Sequence, residues 1–312
     1  MTNLTNPIFN DEEAARKHFE ALRWPDGRVC PHCGTIDNST LMQGKTTRPG
    51  LYKCKDCRKP FTATMGTVYE RSHIPLHKWL LATHLLVSSK KGMSAHQLFR
   101  MLGFGSYRTA WFMAHRIREA MMPSDATPPM GSDGGMVEVD ETFIGRIKGK
   151  DAGKGSFQHK MKVLALVDRN SGASRSFVID RVSVQEIDPI LARNVSRAAH
   201  LMTDEHSVYL SIGNYYAQHS RVSHAANEYV NASNPLAHTN TIEGSFSIFK
   251  RGMKGVYQHC GEQNLHRYIA EFDFRYTHRS ANGINDAERA SKAIAGTVGK
   301  RLTYQQPHNQ AA

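Results

Sequence analysis

At 312 residues the chain is long enough for two or three domains and a real hydrophobic core. Its composition, 40% hydrophobic and 22% charged, is ordinary for a globular protein and excludes a low-complexity chain. Forty Lys and Arg against 28 Asp and Glu give a net charge of +12. Such a field draws polyanions, nucleic acid above all, although a merely basic globular protein would carry it too.

The chain opens with MTNLTNPIFNDEEAARKHF, which has no apolar stretch of the secretory kind. Residues 1–23 read as a helical segment, with DEEAARKHFEAL as a short amphipathic helix with an acidic start. The most apolar run, WLLATHLLV, is too short and too interrupted by His84 to span a bilayer. A cytoplasmic, nucleoid-associated protein without a membrane partner is therefore expected.

Residues 24–70 carry Cys30-Pro-His-Cys33 and Cys54-Lys-Asp-Cys57, two CxxC knuckles separated by twenty residues. Four soft thiolates from two tight turns suit one tetrahedral Zn²⁺, and four leave no open coordination position, so this zinc is structural. Two disulfides or inert buried thiols are the alternative, less suited to a chain without a signal peptide. His32 reads as a turn residue, and Cys260, standing alone, as an incidental thiol. Lys45, Arg48, Lys53, Lys55, Arg58 and Lys59 make the ribbon basic. That favours phosphate contact, Lys53 and Arg58 foremost, although each basic residue taken singly also suits a solvated surface.

Residues 71–122 turn helical, with SAHQLFRML, a GFGS turn and YRTAWFMAHRIREAMM. Leu98, Met101 and Leu102 are expected to pack on Ala110, Trp111 and Ala114 across the turn, in the style of a helix-turn-helix. Tyr107, Arg108, His115, Arg116 and Arg118 then become candidates for phosphate, but any small helical bundle gives the same pattern. PSDATPPMGSDGG, 123–135, is a linker by composition.

From 136 to 282 the pattern is α/β. Strands are expected at MVEVDETFIG, KVLALVDR and SRSFVID, a helix over 185–198, and strands at HLMTDE and near 219–224. Helices follow over 241–251 and 262–279, and residues 283–312 form a polar, loosely ordered tail. This order is compatible with a ribonuclease H-like sheet.

Three carboxylates stand out by position: Asp140 in the first strand of this region, Asp204 at the end of HLMTD, and Glu243 near the start of a later helix. Strand ends and helix starts converge in α/β sheets, where three acids can hold two Mg²⁺. Each has a bland reading as well. Asp140 fits a wet strand face, Asp204 an N-cap, and Glu243 the last place of a capping box opened by Asn240. Glu138 reads as a structural or electrostatic neighbour, Asp168 as a turn residue, and Glu141, Asp180 and Glu205 as competing acids. Lys250, two helical turns past Glu243, shares its face, and Arg251 and Lys254 extend the basic surface.

Taken together, CPHCG, YKCKDCRKPFTATMGTVYERSHIPLHKW, VEVDETFIG, LMTDEHSVY, HTNTIEGSFSIFKRGMKGVYQH and LHRYIAEFDFRY resemble one group, from about Trp24 to Arg279. It is the DDE transposases of bacterial insertion sequences with an N-terminal zinc ribbon. The resemblance implies a ribonuclease H-like catalytic domain whose metal-binding triad is Asp140, Asp204 and Glu243, with Lys250 as the lysine that follows the acid by seven. Members vary at the third position, where this chain keeps the acidic form. The implied cofactors are two Mg²⁺ or Mn²⁺ and one Zn²⁺. The implied partners are double-stranded DNA, as element ends and target, and further copies of the chain. Alternatives are a non-transposing ribonuclease H-like nuclease, or a zinc-ribbon DNA-binding regulator whose catalytic fold is inactive.

Overall fold

The computed structural model describes residues 4–124, 127–151, 157–222, 230–231 and 234–303. The chain divides into two compact units, one of Met1–Ser89, Met93–Met122 and Asn285–Ala312, the other of Lys90–Gly92 and Pro123–Ile284.

In the first unit, helix α1 (Glu12–Arg23) starts where the Asp11 side chain accepts the Ala14 amide, with Glu12 and Glu13 at its positive end. Strands β1 (Ser39–Leu41), β2 (Tyr52–Cys54) and β3 (Pro60–Phe61) form a small antiparallel sheet. Alternation along β2 buries Tyr52 and Cys54 and exposes Lys53. Trp24 packs edge-on against both Tyr52 and Phe61, which gives this short ribbon its apolar centre. Helix α2 (Leu76–Ser88) buries residues on most of its circumference, Trp79, Leu80, Leu86 and Val87 among them. Pro75 precedes it and offers no side-chain cap; Glu12 of α1 does so instead, accepting the Leu76 and His77 amides.

Helices α3 (Ala95–Met101) and α4 (Tyr107–Met121) pack on one another through buried Leu98, Leu102, Ala110 and Ala114. Met101, expected in that contact, is 51% exposed. The larger correction concerns α4. His115, Arg116 and Arg118 are all buried, because α4 packs on the rest of its unit along most of its length. The Arg116 guanidinium donates to the Glu70 carbonyl at 2.7 Å and lies over the Trp79 ring, so it holds the unit together and is not offered to phosphate. Tyr107 and Arg108, in the first turn, are exposed.

The second unit is built on a five-stranded mixed sheet of order β6-β5-β4-β7-β8. Its strands are β4 (Met136–Ile144), β5 (Met161–Asp168), β6 (Ser174–Ile179), β7 (His200–Thr203) and β8 (Gln218–Arg221). The first three form an antiparallel meander, whereas β7 and β8 run parallel to β4. Helix α5 (Val184–Asn194) leads into β7, and α6 (Val208–Ile212) lies between β7 and β8. Val137 and Val139 face one apolar layer with Leu164, Leu166, Ile187, Leu191 and Tyr209. The opposite face is covered by α7 (Asn240–Gly252) and α8 (Leu265–Thr277), which follow a short ribbon of β9 (Val230–Asn231) and β10 (Asn234–His238). This is a ribonuclease H-like mixed sheet flanked by helices. The end of the strand expected near 219–224 lies outside the described residues.

Helix α9 (Asp286–Ala295) corrects the expectation of a loose tail. It has a full capping box between Asn285 and Glu288, buries Ala290, Ala293 and Ile294, and packs on α2 in the first unit. Arg289 secures it by donating to the Val87 carbonyl at 3.2 Å. Its polar composition concealed a narrow apolar stripe with a helical period. Residues 304–312 of that segment lie outside the described residues.

Candidate functional site

The ribbon gathers the four cysteines. The Sγ atoms of Cys30 and Cys57 lie 3.7 Å apart, those of Cys33 and Cys54 3.6 Å apart, and one ligand atom from each lies within 4.8 Å of all the others. A disulfide needs about 2 Å, whereas a tetrahedron with Zn–S of about 2.3 Å has edges near 3.8 Å. The spacing therefore fits one structural zinc. Each knuckle closes on backbone bonds, Gly34 N–H to the Cys30 carbonyl and Cys54 N–H to the Lys59 carbonyl. The residue after the second cysteine is left-handed in both knuckles, at φ +78° for Gly34 and +58° for Arg58. His32 Nε2 donates to the Pro60 carbonyl, 3.2 Å away, as a turn residue would. Lys45, Arg48, Lys53, Lys55, Arg58 and Lys59 are all exposed.

The acidic site forms where β4 outruns its parallel neighbour. Strand β7 pairs with Met136, Val137 and Glu138 only. Continuing that register by two residues sets Asp204 level with Asp140, just as the chain leaves the sheet. There Asp140, Glu141 and Asp204 bring one carboxylate oxygen each within 4.8 Å of one another. Asp140 accepts the Glu141 amide at 2.7 Å, and Asp204 accepts the His206 amide at 3.0 Å, an Asx turn in place of the expected helix cap.

Burial raises the Asp140 carboxyl to about 8, helped by the like charges of Glu141, Asp204 and Glu243. Burial likewise lifts Glu141 to about 7, with Asp204 adding to it. Glu141 Oε1 is buried without a well-formed hydrogen bond, and the Tyr209 hydroxyl is the side-chain donor that acts on this carboxyl. Concentrated, incompletely satisfied carboxylate oxygens are a hard donor set short of positive charge, which fits a divalent cation. Glu243 lies outside the close group of three but near enough to act on Asp140; the Thr239 hydroxyl donates to it at 3.2 Å. Lys250 is half-buried, which lowers its ammonium, and the Asp140 charge pulls it back up.

The capping box expected at Asn240 does not form. The N-cap is Thr239, and its side chain makes no capping bond. Instead Glu138, fully buried on β4, accepts the Ile242 amide at 2.8 Å and pairs with Arg169 at 2.5 Å. A strand residue thus holds the first turn of the helix that carries Glu243 and Lys250. Asp168 is the expected turn residue, accepting the Asn170 and Ser171 amides and that of Gly131. Asp180 and Glu205 are exposed. Sequence reasoning underrated Glu141, because strict alternation sends it to the face opposite Asp140. Only the early end of β7 lets both faces open on one crevice.

Residues 133–277 match the ISXO2-like transposase domain, and residues 10–60 match the transposase zinc-ribbon domain. Together the two matches cover more than half of the chain. The chain belongs to this family of zinc-ribbon transposases. This transposase is 27% identical over 282 residues to an uncharacterized protein in transposable element ISH50 of Halobacterium salinarum, a match spanning 86% of this chain and 91% of that protein. Among solved structures it is similar to the simian T-cell lymphotropic virus intasome in complex with PP2A regulatory subunit B56 gamma. That match has 15% identity and a TM-score of 0.30, and it covers 57% of this chain and 63%, less than two thirds, of the other. Among the described residues of this transposase, no helix is long and apolar enough to cross a membrane.

Proposed function

We propose that this transposase binds the terminal inverted repeats of its insertion sequence and carries out divalent-metal-dependent DNA cleavage and strand transfer, acting in the cytoplasm on the nucleoid. The observation that carries the reading is the convergence of Asp140 and Asp204, from a strand and a strand end, with Glu243 and Lys250 close by on one helix. Asp140, Asp204 and Glu243 would hold two Mg²⁺ or Mn²⁺. When bound, the ions supply the charge that activates water and then a freed 3′-hydroxyl, and that offsets the leaving oxygen. Lys250, near enough to feel the Asp140 charge, would steady a DNA phosphate beside the carboxylates, and exposed Arg251 and Lys254 would extend that positive surface. Helix α7 would keep Glu243 and Lys250 at a constant separation while strand β4 holds Asp140, so the groups need no rearrangement as DNA arrives.

Exposed Lys53, Arg58 and Arg108 are assigned to DNA backbone contact, and Arg116 is withdrawn because it is buried. Pairing two element ends calls for more than one copy of the chain. The test incubates the full chain with Mg²⁺ and DNA bearing candidate inverted repeats, and resolves cleaved and joined strands on a denaturing gel. Asp140→Asn, Asp204→Asn and Glu243→Gln should each abolish cleavage and keep end binding. Intact cleavage in all three would remove the triad. Cleavage by the native chain without joined product would instead make it a non-transposing nuclease, and end binding without any cleavage a regulator.

A further inference from the structure

Glu141 is the member of the acidic group that neither the triad nor the pleat of β4 explains. Alternation along β4 sends it to the layer of Val137 and Val139, away from Glu138 and Asp140. A carboxylate with a buried Oε1 that lacks a well-formed hydrogen bond is costly there unless something charged or hydrogen-bonding meets it. The sheet provides an opening, because β7 stops pairing at Glu138 and Asp204 leaves the sheet level with Asp140. Glu141 therefore reaches the same crevice from the other face, and its ligand oxygen lies within 4.8 Å of those of Asp140 and Asp204.

Tyr209, on α6 just after the Asp204 turn, is completely buried, and its hydroxyl has no well-formed hydrogen bond. Burial raises its phenol well above the usual range, and Glu141 adds to this by its charge and as a hydrogen-bonding neighbour, ahead of the charges of Asp140 and Asp204. A phenylalanine would fill the same space in the apolar layer without burying a polar hydrogen. The hydroxyl needs an acceptor, and the Glu141 carboxylate is the one within its reach.

We propose that Glu141 supplies a third carboxylate ligand to the cation site beside Asp140 and Asp204, and that Tyr209 is its positioning residue, donating its phenolic O–H to one Glu141 oxygen so that the other is aimed at the cation. This rests on the cation site of the proposed function. It leaves Glu243, outside the close group, for the second ion. A buried phenol suits the role, because its ring is locked by the layer of Ile187, Leu191 and Ile212, and it can turn only its hydrogen.

The experiment measures Mn²⁺ binding to the full chain without DNA, from the electron paramagnetic resonance signal of free Mn²⁺. Glu141→Gln should weaken binding about ten-fold or more, and Tyr209→Phe about ten-fold, the scale of outer-shell partners. The double variant should bind no more weakly than Glu141→Gln alone, since the hydroxyl acts only through that carboxylate. Tyr209→Phe keeps the ring in its layer and removes one hydrogen bond, so the cation-free chain should stay folded with only a small drop in its thermal midpoint. That readout separates positioning from structural support, and it survives even if Glu141→Gln fails to fold. Either single variant binding Mn²⁺ within two-fold of the native chain, while Asp140→Asn does not bind, would overturn the inference alone. Native-like binding by Asp140→Asn would instead remove the cation site, and this inference with it.

Discussion

Replacing Glu138 with alanine tests how the sheet holds the helix that carries Glu243. The Glu138 side chain is fully buried and holds Arg169 at 2.5 Å and the Ile242 amide at 2.8 Å, with His238 Nδ1 3.5 Å away. Removing one member of a buried ion pair costs about 3–5 kcal/mol. Arg169 keeps the carbonyls of Leu236 and His238 as acceptors, which argues for the lower end, about 3 kcal/mol. The Ile242 amide, in the first turn of α7 with no local cap, adds about 1–3 kcal/mol as an unsatisfied buried donor. The sum, about 4–6 kcal/mol, approaches the whole stability of a marginal domain. Glu138→Gln keeps the shape and one acceptor and should lose about half as much. Urea unfolding followed by far-ultraviolet circular dichroism measures both, and folded Glu138→Gln should also cleave DNA more slowly, because Glu243 rides on the helix start. A loss below about 1 kcal/mol for Glu138→Ala would refute the reasoning, since no buried pair of this kind is removed so cheaply.

Cation binding should depend on pH in a stated direction. Asp140 and Glu141 titrate near 8 and 7 in the folded chain, above the ordinary carboxylate range, so the cation-free protein binds more protons folded than unfolded. Their contribution favours folding at low pH and is lost as pH rises through that range. Added Mg²⁺ should therefore raise the thermal midpoint more at pH 8.5 than at pH 6, and an equal gain at both would sink the argument. In the ribbon, metal analysis should find about one zinc per chain; Cys30→Ser or Cys54→Ser that kept its zinc would remove the site. Arg58→Gly should relieve the left-handed backbone at Arg58, raising stability by up to about 1 kcal/mol. The same change should weaken DNA binding and lower its salt slope by about one unit, and an unchanged slope would take Arg58 off the phosphate backbone.

Residues with local signals are legible in the sequence itself. Two CxxC turns specify a zinc ribbon because each knuckle is closed by backbone bonds within a few residues. Strand alternation sends Asp140 away from Val137 and Val139, and the α7 and α8 helices lie within a few residues of their expected bounds. The early end of β7, which brings Glu141 and Tyr209 to the carboxylates, depends on a pairing register between segments far apart in sequence. The cap of α7 comes from Glu138, 104 residues away, so the local Asn240–Glu243 spacing points to a box that does not form. Basic residues of α4 read as surface charge although packing buries Arg116 and Arg118, and a polar tail hides the stripe that seats α9. Residue chemistry and backbone periodicity act over a turn or a strand, and the sequence alone determines what they control. Which carboxylates meet, and which cations remain exposed, follows from contacts between distant segments, and only the tertiary structure decides it.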